Sequence, residues 1–263
     1  MKTNLIEIKK RLYEYYKKSP VMFLKFSNNI NHLEQIRTGS LYMNNFKYYI
    51  DLEEKQGKVG MGDKTEASLV MYDVDITVSP EESNEVTAHA ESIIIRETAT
   101  IHTPLFCMYA VTVDMLEILG INEDKVKCVL KIPKQQLESM KKDFGEHVLI
   151  IAAGPFIYKV EKSLTEKKCS YAVGNAIYED HSTLNTKRFK SHQERNSRLF
   201  FYKDNKFAHQ KEYRIVVTGK KITEGCPELI GSIEGFSAIR NIESLEDNTV
   251  FVDIPINYKK NKA

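Results

Sequence analysis

Glu212 and Arg214 stand on either side of Tyr213 at the head of an apolar run that continues to Val217. A run of this composition forms a strand, and a strand keeps charges out of a core unless something pairs them. Side chains alternate along a strand. With Tyr213, Ile215 and Val217 turned inward, Glu212 and Arg214 therefore share the opposite face and pair side by side. On an open face this is an ordinary ion pair, worth about 0.2 to 1 kcal/mol. In a pocket the same two groups do chemistry. The carboxylate orients a ligand hydroxyl or stabilises a cationic transition state, and Arg214 holds an anion or the carboxylate itself. Lys203, which closes the aromatic run Leu199-Phe200-Phe201-Tyr202, is the further ligand-binding cation of this region.

A second group lies near the start of the chain, where Tyr42-Met43-Asn44-Asn45-Phe46 sets polar amides beside aromatics. Asp51, Glu53 and Glu54 follow it, and Asp63 and Glu66 follow the glycines Gly57, Gly60 and Gly62. These carboxylates read either as a solvated charged loop or as groups facing a polar ligand. The candidate pocket combines Tyr42, Asn44, Asn45, Glu53, Glu212 and Arg214, with Glu212 and Tyr42 in the catalytic roles. Other chemistries lack their signatures. The seven histidines form no HxH or HExxH pattern and the four cysteines no CxxC, so no metal is expected. No GxSxG and no GxxxxGK[ST] occurs, which sets aside a hydrolase elbow and a phosphate-cradling loop. Lys187, Arg188, Lys190, Arg195 and Arg198 interleave with Phe189 as a nucleic-acid surface would. A solvated helix face is the favoured reading, because 38 basic and 36 acidic residues leave a net charge of only +2.

The elements that must hold these residues can be read from periodicity. Leu5, Ile8, Leu12, Tyr15 and Tyr16 predict an amphipathic helix over 1–20, ended by Ser19-Pro20. A strand over 21–26, a short helix over 31–37 capped by Gly39, and an extended return from Ser40 come next. Alternation predicts an antiparallel pair over 69–78 and 92–102 with an acidic connection at 79–84. Strands are predicted over 105–113, 126–132, 147–152, 156–160, 171–178, 212–218 and 249–254. Short helices are predicted over 114–119 and 133–142, and one long helix from His181 into the aromatic run. The class is α+β, with mixed, mostly antiparallel sheets and peripheral helices. The 263 residues are expected to form the opening helix and a single domain over 21–263, with an insertion near 66–102. Unpaired cysteines and the lack of a leader or a long apolar segment point to the cytoplasm and away from a membrane.

Phe23-Leu24-Lys25-Phe26, then Gly39-Ser40-Leu41-Tyr42 with Asn44-Asn45, and finally Phe201-Tyr202-Lys203 with Lys211-Glu212-Tyr213-Arg214-Ile215-Val216 resemble a family of bacterial and phage proteins. Its members are domains of unknown function associated with abortive infection. The resemblance spans about 21 to 218, and Lys-Glu-Tyr-Arg is its most specific piece. The family's Asn-Asp-Pro-type motif is loosened here to Asn44-Asn45-Phe46. A weaker resemblance is to the ADP-ribosyltransferase fold, on Lys25 or Phe26, Tyr42 and Glu212; the early strand lacks that fold's usual histidine or arginine. What these resemblances imply is a protein of phage–host conflict, with NAD as the cofactor and a glutamate stabilising oxocarbenium character on a ribose. The other class of function, left open by the residues, is a non-enzymatic protein-binding module of defence or anti-defence. It would act through surface loops and the tyrosine-bearing opening helix. The partner is accordingly a nucleotide ligand or a protein. If Glu212 is catalytic only, Glu212→Gln abolishes activity and leaves the melting temperature nearly unchanged.

Overall fold

The computed structural model describes residues 5–78, 85–122 and 125–255. Several mostly antiparallel sheets with flanking helices make an α+β protein, as the patterning predicts. Where the sequence predicts one domain over 21–263, the contacts group the chain into two compact units. The first comprises Met1–Ser40, Met108–Lys162 and Leu229–Ala263, and the second Leu41–Cys107 and Ser163–Glu228. Each passage from one unit to the other falls inside an element, within Ser40–Asn45, Pro104–Val111, Ala153–Glu166 and Cys226–Leu229. No glycine- or proline-rich linker marks a boundary, so composition could not reveal one.

In the first unit, strand Met22–Ser27 runs antiparallel to His147–Ala152 on one side and to residues 109–111 on the other. Ser237–Asn241 adds antiparallel to His147–Ala152. Met22, Leu24 and Phe26 bury one face against Val111, Leu137 and Val148. Phe23 buries the other, its ring meeting Phe156 edge-on at 5.8 Å. Covering both faces explains why this strand reads as unbroken apolar sequence. The opening helix Leu5–Tyr16 belongs to this unit's core through Ile8 and Leu12. A second sheet of the unit places Lys125–Leu130 between Leu116–Asn122 and Phe251–Pro255. Two predictions are corrected here. Residues predicted as a helix over 114–119 form a 3-10 turn and then strand Leu116–Asn122, and the strand predicted over 156–160 is part of helix Ala153–Glu166.

In the second unit, Glu212–Val216 pairs antiparallel with Ala172–Asn175, Tyr213 opposite Asn175 and Val216 opposite Ala172. Asn44 and Asn45 register with Leu105 and Pro104. The short pair Ile177–Glu179 and Tyr202–Asp204 is parallel. Phe46, Leu105, Leu199, Phe200 and Val216 form the apolar core, with Phe46 stacked on Phe200 at 5.3 Å. The segment 46–56, read from sequence as extended chain and charged loop, is a helix. The Asn45 side chain caps it by accepting from the Tyr48 N–H, and Gly57 ends it at φ +65°. Leu69–Val78 and Val86–Ile95 form the predicted antiparallel ribbon, its second strand starting earlier than 92, while Thr98–Ile101 turns into a short helix. The acidic connection at 79–84 lies outside the described residues. The long helix predicted from His181 shrinks to Thr186–Gln193, followed by a 3-10 segment at Ser197–Phe201.

Candidate functional site

Strand Glu212–Val216 is buried along both faces, which removes the open-surface reading of its ion pair. Arg214 is fully buried, and its guanidinium is used on three sides. Nε donates to Glu212 Oε2 at 2.8 Å, Nη2 to Glu66 Oε1 at 2.7 Å, and Nη1 to the Phe200 carbonyl at 2.6 Å. Lys203 comes from the middle of the parallel pair. Its amine donates to Glu212 Oε1 and to Gln210 Oε1, the latter at 2.8 Å, and lies 3.5 Å from Glu66 Oε1. Two anions, Glu66 and Glu212, thus face two cations, Lys203 and Arg214, with side-chain exposures of 11 % or less. The Phe46 and Phe207 rings lie 5.9 and 4.9 Å from the Arg214 and Lys203 charges and shield them from water.

Backbone geometry aims these groups. Lys211 takes a left-handed φ of +40°, turning the chain from the 3-10 segment Asn205–Gln210 into the strand. The Glu212 N–H donates to the Tyr178 hydroxyl at 2.8 Å, fixing the strand's first residue. Gln210 ties the cluster to the glycine loop by donating to the Gly60 carbonyl at 2.7 Å. On that loop Asp63 uses Oδ1 to accept from the Thr65 N–H and hydroxyl. Asp63 Oδ2 and Glu66 Oε2 are buried with no hydrogen-bond partner among the described residues.

The environment drives the two carboxyls apart. Burial raises the Glu66 carboxyl, helped by the neighbouring Asp63 and Glu212 charges and opposed by Arg214 and Lys203; the net direction is upward. Burial acts on Glu212 too, but Lys203 and Arg214 each touch it directly and hold its carboxyl down at about 2. Lys203 is pushed above the ordinary lysine range, because Glu212 and Glu66 outweigh its burial. Glu212 is therefore held as the anion, and Glu66, with one oxygen unengaged, is the carboxyl of the pair whose affinity for a proton is raised.

Of the residues singled out from sequence, Glu212, Lys203 and Arg214 come together here. Tyr42, Asn44 and Asn45 gather elsewhere in the unit, around the loop 221–226. Tyr42 is 55 % exposed. A Cβ added at Gly225 would meet Asn44 Oδ1 and the Tyr42 ring at 2.5 and 2.6 Å. Asn45 donates to the Ile222 carbonyl at 2.6 Å while capping its helix. This loop lines an open cavity of about 820 Å³ with Thr98 and His102. Glu53 accepts from the Lys64 N–H at 2.8 Å and so orders the stretch after the glycine loop. Glu66 was named from sequence only among five carboxylates that read as loop or ligand-facing and was left out of the candidate pocket, and Gln210 was not chosen. The signal available for Glu66 was its place after Gly62-Asp63, and Gln210 had none beyond its nearness to Glu212.

Compared with protein-family models, curated proteins and solved structures, the chain gives no significant match. Its chemistry must be argued from its own residues. Among the described residues no group of three or more His, Cys, Asp or Glu is placed to hold a metal ion, and no helix is long and apolar enough to cross a membrane. Of the basic segment, Lys187, Lys190, Arg195 and Arg198 are exposed, as a solvated helix face would be, and Arg188 is turned inward. Arg188 is fully buried, donating to the Thr183 and Val70 carbonyls at 3.0 and 3.4 Å, and Arg195 lies 3.2 Å from Glu97.

Proposed function

We propose that the second unit carries a transferase-like activity on the glycosidic bond of a nucleotide such as NAD, in a cytoplasmic protein of phage–host conflict. The observation behind it is that Glu66 and Glu212 share the cations Lys203 and Arg214 yet are shifted in opposite directions. Paired carboxyls driven apart in this way divide acid–base work from electrostatic work. The C1′–N bond breaks and its electron pair leaves with the ring nitrogen, so positive charge builds on the ribose. The fixed charge of Glu212 stabilises that oxocarbenium character. An acceptor hydroxyl bonds to C1′ and passes its proton to Glu66, whose raised affinity for protons suits a base.

Mass spectrometry of NAD incubated with the protein and cell extract tests this. Nicotinamide release by wild type, lost in Glu66→Gln at a temperature where circular dichroism shows that variant still folded, is the expected result. No release by wild type overturns the reading.

A second reading, a non-enzymatic protein-binding module of defence or anti-defence, draws on a different observation. Tyr72, Ile76, Val86, Ile94 and Ile95 stand exposed on the ribbon, and Leu5, Ile6, Tyr13 and Tyr15 on the opening helix. Apolar side chains concentrated on a projecting element mark a contact surface. Under this reading Glu66→Gln is silent, and Tyr72→Ser with Ile94→Ser abolishes affinity capture of a partner.

A further inference from the structure

A cavity of about 490 Å³ opens in the second unit, between the root of the ribbon, the short helix Thr98–Ile101 and the helix Thr186–Gln193. Its size falls in the range that encloses small ligands. Leu69, Ile95 and Leu199 make an apolar floor, and the Phe189 ring, 40 % exposed, forms a wall. An aromatic left open beside an apolar floor is a stacking surface for a planar ring.

The charged groups at the mouth are Arg96, Arg195 and Glu97. Arg96 is held in place by Glu54, the Ser68 hydroxyl and the Lys64 carbonyl, at 2.7, 3.2 and 2.6 Å. Arg195, 75 % exposed, occupies a left-handed φ of +50° at the end of its helix, with Glu97 3.2 Å away. Each guanidinium has a carboxylate partner, but Arg195 is open to solvent and has more N–H donors than its contact with Glu97 uses, so it can reach an anion seated at the mouth. His192 also lines the cavity, and its Nε2 is buried with no hydrogen-bond partner among the described residues. Burial keeps the ring neutral, so it can exchange a hydrogen bond with the edge of a heteroaromatic ligand.

From these features we infer that the cavity binds a mononucleotide-class ligand, its ring stacked on Phe189 and its phosphate drawn to Arg195 and Arg96. Ala67, which follows the proposed base Glu66 in the chain, lies on the cavity wall. The inference rests on the nucleotide reading of this unit but stands on different residues.

Calorimetric titration with adenosine monophosphate, adenosine and ribose 5-phosphate tests it on wild type, Phe189→Ala and Arg195→Gln. Both substituted side chains are substantially exposed, which spares the fold. Wild type is expected to bind the monophosphate. Phe189→Ala weakens the monophosphate and adenosine roughly tenfold and leaves ribose 5-phosphate nearly unchanged. Arg195→Gln weakens the two phosphates by roughly as much, spares adenosine and flattens the salt dependence. Failure of wild type to bind any of the three, or equal affinities in all three proteins, overturns the inference. Binding with these losses but no nicotinamide release keeps the cavity and discards the catalytic reading; release with unaltered affinities in both variants does the reverse.

Discussion

Replacing Glu212 by glutamine removes one of the two anions facing Lys203 and Arg214 and leaves two buried cations with Glu66 alone. Breaking a buried pair from one side costs about 3 to 5 kcal/mol, because the surviving charge cannot reach water. Glu212→Gln is therefore expected to lower unfolding stability by that amount in urea, with an unchanged slope. This departs from the expectation, drawn from sequence, of a nearly unchanged melting temperature. Alternation correctly placed Glu212 and Arg214 on one face. Nothing in the local pattern told that the face is covered, because the covering residue, Glu66, comes from 148 positions away.

His181 offers a second test at this scale. It is 2 % exposed, and both ring nitrogens are buried without a hydrogen-bond partner among the described residues. Burial, reinforced by Arg188 and Lys206 and opposed by Asp63 and Asp204, depresses it to about 4. The unfolded histidine takes a proton near 6.5 and the folded one only near 4, so stability is full above 6.5 and declines as pH falls through this window. The loss approaches about 3 kcal/mol. Glu212 loses its contribution lower, between 4.5 and about 2, and Glu66, shifted upward, acts with the opposite sign as pH rises above 4.5. Denaturation of Glu66→Gln at pH 7 and pH 5 should show the decline, and adding His181→Phe should remove most of it.

Among the elements, the ribbon depends most on a residue the sequence misrepresents. Arg188 sits in a helix of basic and polar residues and reads as solvated, yet it is fully buried and bonds the Val70 carbonyl at the ribbon's root. A two-stranded ribbon has too little core to stand by itself, so its order comes from its base. Arg188→Met, of similar length but without donors, is expected to raise amide exchange over 69–78 and 86–95 and to speed proteolysis there, while exchange over 172–175 changes little. An unchanged ribbon would show that its own cross-strand pairs suffice. The same limit on local reading explains the helix at 46–56. Its signals were present, Asn45 as cap and Lys47, Asp51 and Lys55 four apart, but the density of charge reads equally as loop. The run Phe156–Val160 erred the other way, since a short apolar stretch fits a buried helix as well as a strand. Strands covered on both faces, such as Met22–Ser27, were the most legible, because continuous apolar sequence has few other solutions.

For the molecule as a whole, the α+β class followed from patterning, whereas the partition into two units did not, because every crossing is hidden inside an element. Each unit has its own apolar cluster, one around Leu24, Leu137 and Val148, the other around Phe46, Phe200 and Val216. Cooperative opening follows such clusters more closely than it follows chain order. Glu212→Gln weakens only the second, and hydrogen exchange read by mass spectrometry should localise the damage. Amides of 41–107 and 163–228 are expected to exchange faster, and those of Met22–Ser27 and His147–Ala152 to keep their protection. Strand Pro104–Val111 gives the sharpest reading, since its first half belongs to the weakened unit and its second half pairs with Met22–Leu24 in the other. Residues 104–107 should lose protection while 109–111 retain it. Equal loss along the whole strand would mean that the chain opens as one cooperative body, and that the single domain expected over 21–263 describes its stability better than its contacts do.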